Sequence, residues 1–438
     1  MNKKKRIPTY YDYSEHGIKS SKIDSISFEI AKKIIKSGHQ AYVVGGAIRD
    51  ILLNRTPKDF DLVTDLKPEE IKKLFHNSYI IGRRFKLVHI RSKGSITEVS
   101  TFRSQSASIP QIIKGIFNLR SNKYFYQNIY GTIDDDVMRR DITINALYYD
   151  PVNRKLIDFT GGFSDLKAKR MNVVGIPAKK FAEDPMRILR MIRFSAKLDF
   201  KINDEMAQEI DAMKDHILTL PGSRILEEFN KFFINGHAYK SYRKLVKHDC
   251  MKYIISYDWH NISENDQAMM CEALKDTDDR YSRQQYLAVI FLLSLFMWPK
   301  YSDEMHKIGK PSSMKFQTLR TNHRKVCELI FREQKETMAI PIKLAIRLEK
   351  IWILQYQMES TNKNKKLQRI KENGHFKMAF DLMKIRATGR PKLKEICNYW
   401  QEHAEANAKV IAARRELKKN RRPPKKSNMS KNKQALTY

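Results

Sequence analysis

The sequence predicts an α+β head, a mixed β-sheet with helices, followed by an all-α neck and body. Three observations carry this reading. Short β-type runs alternate with amphipathic helices up to about residue 175. From about Phe181 helical patterns follow one another without convincing strand alternation. The last stretch loses apolar periodicity altogether. These shifts set the expected boundaries: head 1–175, neck 176–235, body 236–413 and a disordered basic tail 414–438.

In the head, Ile23 to Ser37 has helical spacing (Ile23, Ile26, Ile30, Ile34) and Gly38 stops it. Ala41 to Val44 reads as a strand running into Gly45-Gly46, and Ala47 to Leu53 as a short helix. Phe60 to Thr64 is a second strand, and Pro68 to Phe75 a helix with proline in its first turn. Tyr79 to Ile81 and Phe85 to Ile90 are strands. Ser95 to Phe102 alternates, with Ile96, Glu98 and Ser100 on one face. Ser104 to Gly131 is polar and reads mostly as a mobile loop. Asp134 to Leu147 is expected to be helical, and Tyr148 to Thr160 a hairpin closed by Gly161-Gly162. In the body, Tyr286 to Trp298 is expected at the centre, with Trp298, Trp352 and Trp400 in the core. Between Arg414 and Lys433 ten basic residues face one acid, which marks a disordered polycation.

Composition narrows the function. The 438 residues carry a formal net charge of +34, far more than solubility needs, which points to an anionic polymer and first to nucleic acid. Apolar residues make up 42%, enough for a packed core. The four cysteines are far apart and form no C-x-x-C pair, which argues against a zinc ribbon and fits a reducing compartment. Met1 to Arg6 is basic with no apolar stretch behind it, so no secretory signal is expected. The run Tyr286 to Trp298 is too short to span a bilayer. The expectation is a cytoplasmic protein without stable membrane insertion.

The strongest chemical signal is VGGAIRDILLNRTPKDFDL, Val44 to Leu62. Asp59 and Asp61 are two apart on a predicted strand, so their carboxylates share a face. Two such carboxylates repel unless a cation lies between them, and hard oxygen ligands suit Mg2+. Gly45 and Gly46 let backbone amides approach a phosphate at a helix start, and Arg49 adds charge. A phosphate site beside a Mg2+ site describes two-metal nucleotidyl transfer. Further on, Asp184, Arg187, Arg190 and Arg193 recur every three residues, along one drifting helix stripe or an exposed ion-paired face.

This first motif, with RRDITINAL (Arg139 to Leu147), DFTGGFSDLK (Asp158 to Lys167) and EDPMRILRMIRF (Glu183 to Phe194), resembles the nucleotidyltransferase branch that holds class II CCA-adding enzymes and bacterial poly(A) polymerases. The resemblance implies a nucleotidyltransferase head in which Asp59 and Asp61 bind Mg2+ and Asp141 is an essential carboxylate. It places Arg140 and Asn145 at matching ribose-side positions. Glu98 is either a third metal carboxylate or a structural salt bridge. Asp184 and Arg187 are implied to read the base edge, with Arg190 and Arg193 supporting them or the triphosphate. Glu183 is left the role of a helix-start cap.

Those motifs do not separate the two activities. IIGRRFKLVHI, Ile80 to Ile90, resembles the signature segment of bacterial poly(A) polymerases, and Arg83, Arg84 and Lys86 are expected to contact RNA. The tail, with Arg421, Arg422, Lys425 and Lys426, suits sequence-independent phosphate binding. The expectation is therefore template-independent transfer of AMP from ATP to RNA 3′ ends, acting in RNA polyadenylation, processing and decay. RNA-decay proteins are a candidate partner class. A CCA-adding or A-adding tRNA enzyme is the alternative, and a basic RNA-binding protein with a decayed site is the non-enzymatic one.

Overall fold

Among the described residues, eight short strands assemble into one mixed sheet: Thr9–Tyr11 (β1), Ala41–Val44 (β2), Asp61–Thr64 (β3), Ser78–Ile81 (β4), Leu87–Ser92 (β5), Ser95–Thr101 (β6), Leu147–Asp150 (β7) and Lys155–Asp158 (β8). Their order is β1-β8-β7-β2-β3-β6-β5-β4; only β3–β6 is parallel. The computed structural model describes residues 6–82, 86–92, 94–104, 130–285, 287–360 and 367–402.

Strand alternation buries both faces of the sheet. Val43, Leu62, Val99 and Leu147 face helices Ser25–Lys36 (α2), Gly46–Leu52 (α3) and Pro68–Leu74 (α4), which follow the single turn Tyr13–His16 (α1). Val44, Val63, Tyr148 and Ile157 point the other way and pack with Val137 of helix Ile133–Arg139 (α5). Asp24 starts α2 by accepting the Ser27 N–H at 2.9 Å, and Thr132 with Asp135 forms a capping box at α5.

The expected strands are present, with two differences that bear on the site. Strand β3 begins at Asp61, so Asp59 lies just before it. The predicted helix 134–147 stops at Arg139, because Arg140 takes an extended conformation; a 3-10 turn, Thr143–Asn145, follows. Strand β1 was not expected. Its three residues, Thr-Tyr-Tyr, are too few to show alternation, and pairing with β8 creates the strand.

Helices Gly162–Lys167 (α6), Pro177–Glu183 (α7), Met186–Leu198 (α8), Asp204–Met213 (α9), Gly222–Phe233 (α10) and Ala238–Lys247 (α11) complete the first compact unit, Met1–Trp259 with Glu336–Ala339. In it, Gly222 meets the segment 336–339 so closely that a Cβ would lie 2.5 Å from the Ala339 nitrogen. The second unit, His260–Lys335 with Ile340–Tyr438, contains helices Glu264–Ser282 (α12), Val289–Phe296 (α13), Trp298–Ile308 (α14), Phe316–Gln334 (α15), Ile342–Ser360 (α16), Leu367–Lys371 (α17) and Phe376–Arg386 (α18). Its core holds Trp298, Trp352 and Trp400, all buried as expected. Tyr301 stacks on Trp352 at 4.9 Å, and the Arg386 guanidinium lies 3.7 Å from the Trp298 ring centre. Among the described residues no helix is long and apolar enough to cross a membrane.

Candidate active site

Strand register places one row of side chains across the whole face that carries α5. Tyr79 pairs with His89, His89 with Glu98, and Glu98 with Asp61; Asp61 pairs with Val44, and Val44 with Tyr148. A side-chain period of two makes these neighbours point the same way. The acidic middle of the row borders a cleft of about 750 Å3 lined by Lys58, Asp59, Phe60, Asp61, His89 and Glu98, with residues of α2 and β6. Asp59 and Asp61 therefore share a site although only Asp61 is in a strand.

The acids press on one another. Desolvation first, then the charges of Glu98 and Asp59, push the Asp61 pKa up, and Arg140 opposes them. Glu98 accepts a hydrogen bond from His89 Nε2 at 3.1 Å. Among the described residues, no three His, Cys, Asp or Glu side chains stand together closely enough to hold a metal ion. The expected third metal carboxylate is thus joined to a histidine, the salt-bridge alternative left open in the sequence. The donor set that remains, Asp59 and Asp61, fits Mg2+, which usually binds through one or two carboxylates and takes its other ligands from phosphates and water.

Behind the row lies a saturated hub that sequence reasoning missed. Asp136 is fully buried and accepts from Arg139 Nε at 2.7 Å, Arg140 Nη2 at 3.0 Å, the Tyr148 hydroxyl at 2.7 Å and the Arg103 N–H at 3.3 Å. Burial alone would raise its pKa, but Arg140, Arg139 and Tyr148 outweigh burial and hold it below the usual carboxylate range. Arg140 also donates to the Tyr148 hydroxyl at 2.8 Å and covers that ring at 4.9 Å. The only warning in the sequence was an acid four residues before Arg140 on a helix that also ends there.

Gly45 adopts φ 72°, where a side chain is strained, and a Cβ there would lie 3.5 Å from Arg140 Nη1. This brings the glycine pair and the second motif together. Arg49, expected to add free charge, is instead buried: it bonds Asp50 at 2.8 Å and Asn145 Oδ1 at 2.6 Å, and lies 5.1 Å from the Phe194 ring centre. Asn145 is held by that bond. Asp141, in the loop after α5, is buried, with the Arg190 guanidinium 2.8 Å from its carboxylate; it does not line the cleft with Asp59 and Asp61.

The third motif braces the second. Asp158 accepts the N–H groups of Thr160, Gly162 and Phe163. Gly162 touches the Thr143 carbonyl so closely that a Cβ would sit 2.2 Å from it, and Asp165 accepts the Thr143 hydroxyl at 2.7 Å.

The fourth motif is not one helix stripe. Glu183 ends α7 rather than capping α8, and Asp184 lies in the break between them, because Pro185 resets the backbone before α8. Asp184 ion-pairs with Arg224 at 2.9 Å. Arg187 donates to Glu183 at 2.7 Å, the Lys180 carbonyl at 2.8 Å and the Arg139 carbonyl at 3.4 Å, while Lys180 donates to the Met138 carbonyl. Two cations thus serve the C-terminal carbonyls of α5. Arg193 is buried against Glu228 and stands apart from that junction. Of the expected RNA contacts, Lys86 ion-pairs with Glu69 at 3.1 Å in the open. Arg83, Arg84, Arg421, Arg422, Lys425 and Lys426 lie outside the described residues, as do most of the loop 104–131 and the tail.

Three family models match: the poly A polymerase head domain over residues 41–172, the probable RNA and SrmB-binding site of polymerase A over 199–257, and the polymerase A arginine-rich C-terminus over 320–435. Poly(A) polymerase I of Salmonella typhi is 31% identical over 89% of this chain and 84% of its own length. That of Haemophilus influenzae is 31% identical over 87% and 84%. A CCA-adding enzyme of Lactobacillus helveticus is 35% identical, over 47% of this chain and 49% of its own. Among solved structures, a tRNA-processing enzyme in an apo form aligns over 90% of this chain and 96% of its own with TM-score 0.59 and 19% identity. A Bacillus stearothermophilus CCA-adding enzyme in complex with CTP aligns over 86% and 82%, with TM-score 0.56 and 19% identity. These two share the fold of a nucleotidyltransferase head followed by helices. With almost a third of its residues shared over most of both chains, the protein belongs to the poly(A) polymerase family of nucleotidyltransferases.

Proposed function

We propose that the chain is a template-independent poly(A) polymerase that transfers AMP from ATP to RNA 3′ ends and acts in RNA processing and decay in the cytoplasm. The observation that carries this reading is the extent of likeness. In sequence, the poly(A) polymerase relatives match through the neck and body, whereas the CCA-adding relatives match about half of the chain, although the fold of a CCA-adding enzyme aligns over 86% of it. The +34 charge supports a polyanionic substrate.

Asp59 and Asp61 are the residues that would hold Mg2+. Bound there, the cation would offset the triphosphate's charge and ease loss of the 3′-hydroxyl proton. The remaining work falls to the chain. Arg140, fixed by Asp136 and Tyr148 and close enough to act on Asp61, would meet the triphosphate from the side of Gly45. Arg49 and Asn145 lock the turn behind it. Asp184 and Arg187, at the break between α7 and α8 and paired there with Arg224 and Glu183, would offer a carboxylate and a guanidinium to the base edge. Arg190 holds Asp141, and Arg193 supports the neck through Glu228. The 3′-hydroxyl attacks the α-phosphorus in line, the new phosphodiester forms, and pyrophosphate leaves with the electron pair of the broken P–O bond. The head is assigned to 1–175, the neck to 176–235, an RNA-binding body to 236–413 and a basic tail to 414–438.

Primer extension tests this reading. Purified protein with Mg2+ receives each nucleoside triphosphate singly, and CTP together with ATP, on an unstructured RNA and on a tRNA lacking its 3′ CCA. Long ATP-dependent ladders on the unstructured RNA are expected. Addition that stops at CCA on the tRNA alone would return the chain to tRNA synthesis. No incorporation with either primer would leave an RNA-binding protein.

A further inference from the structure

The segment Ile80 to Ile90 stood out for its arginines; among its described residues, the one that lines the cleft is His89. Strand β5 ends this segment, and its pairing with β6 sets His89 opposite Glu98 on the acidic face. His89 Nε2 donates to Glu98 Oε1 at 3.1 Å. An ionised glutamate has no hydrogen to give, which fixes the direction of this bond. Tyr79 meets the His89 ring edge-on at 6.0 Å from strand β4, so the imidazole is supported from its far side. His89 and Glu98 both line the cleft with Asp59 and Asp61. Next in the row, Glu98 ranks ahead of Asp59 among the charges acting on Asp61. A continuous row of cross-strand neighbours thus runs from Tyr79 through His89 and Glu98 to Asp61.

We propose that His89 is a positioning residue for the acidic site: it fixes the Glu98 carboxylate, and through it the surroundings in which Asp59 and Asp61 take a divalent cation. Left without its donor, the Glu98 side chain has three rotatable bonds and a charged neighbour to avoid, so it leaves its place in the row. Groups that orient carboxylates near a metal typically carry roughly a 10–100-fold effect on affinity or activity when removed. The proposal rests on the polymerase reading for its activity arm alone. Its binding arm is independent, because cation binding needs no RNA.

The test measures Mn2+ binding to the full-length protein by electron paramagnetic resonance, with kcat and the KM for ATP, in His89→Ala, His89→Gln, Glu98→Gln and the double variant His89→Ala/Glu98→Gln. His89→Ala is expected to weaken Mn2+ binding and lower kcat about tenfold, with the KM for ATP changed less than about twofold. His89→Gln retains an N–H donor and is expected to recover most of the loss. In the Glu98→Gln background, His89→Ala is expected to add nothing, the mark of one shared interaction. Unchanged Mn2+ affinity in His89→Ala would overturn the proposal, as would a full His89→Ala effect in the Glu98→Gln background. Wild-type protein that binds no Mn2+ would overturn it too. If His89→Ala does not fold, His89→Gln against Glu98→Gln decides: equal losses in the two overturn it. Wild type that binds Mn2+ but makes no poly(A) would defeat the polymerase reading and leave the binding comparison standing.

Discussion

Two acidic clusters on the same face of the sheet are built in opposite ways. Asp136 is buried and accepts four hydrogen bonds, two of them from guanidinium groups, and its pKa lies below the usual range. Asp61 borders an open cleft beside two other carboxylates, and its pKa lies above that range. Both aspartates feel Arg140, so the guanidinium ties the satisfied cluster to the unsatisfied one. Saturation fixes position, since every lone pair of Asp136 is committed. Charge left uncompensated at Asp61 is a demand that a cation can meet. A carboxylate's role here is set by the partners it lacks as much as by those it has.

The sharpest way to break this comparison is to remove the unsatisfied acids. Asp59→Ala and Asp61→Ala are expected to lower nucleotide incorporation on the order of 10³-fold, about 4 kcal/mol of barrier, while RNA affinity by filter binding stays near wild type. Asp61→Asn adds the complementary result. The raised pKa means that ionised Asp61 opposes folding at neutral pH, so the inactive variant should melt above wild type, and the gain should fade as the pH is lowered and wild-type Asp61 takes up its proton. A lower melting temperature at neutral pH would show that Asp61 is a structural acid like Asp136.

Removing the saturated acid should do the reverse. Asp136→Ala strands Arg139, Arg140 and Tyr148 and is expected to destabilise the first unit by about 3 kcal/mol in denaturant unfolding. Its pH dependence has the opposite sign to that of Asp61. A folded-state pKa below the unfolded one gives stability that is complete above the ordinary carboxylate value, about 3.9, and is lost as the pH falls through the lower folded-state value. The stability difference between wild type and Asp136→Asn should therefore shrink in acid. A difference that is constant with pH would mean that Asp136 acts by packing alone.

The two clusters were not equally legible. Asp59 and Asp61 announce themselves because a D-F-D that follows a glycine pair and a short helix in this order has few structural uses. Asp136 does not, since two of its four partners, Arg103 and Tyr148, lie thirty-three residues before it and twelve after it. The strands of the head could be read from alternation, but β1 exists only by pairing with β8. The regular three-residue spacing from Asp184 to Arg193 suggested one helix, and it misled because Pro185 breaks the chain between Asp184 and the arginines. Arg49 looked free because nothing local shows that Asn145, ninety-six residues later, takes its guanidinium. Spacing reports which residues can share an element; it is silent on partners that arrive from elsewhere in the chain.

The smallest and most discriminating change is Tyr148→Phe. The hydroxyl is the neutral side-chain group of the hub: it donates to Asp136 and accepts from Arg140 Nε. Removing it leaves the ring, its packing and the cation–π contact at 4.9 Å in place, so the stability cost should be close to that of one buried hydrogen bond, about 1 kcal/mol. If the hub exists to aim Arg140, the KM for ATP should rise while kcat changes less, because the loosened guanidinium binds the triphosphate less firmly in ground and transition states alike. Equal kinetic constants with reduced stability would make the hub a folding device and Arg140 a residue fixed well enough by Asp136 alone. A fall in kcat at constant KM would instead place the hydroxyl's influence on Asp61, through the same guanidinium, and join the two clusters in the chemical step.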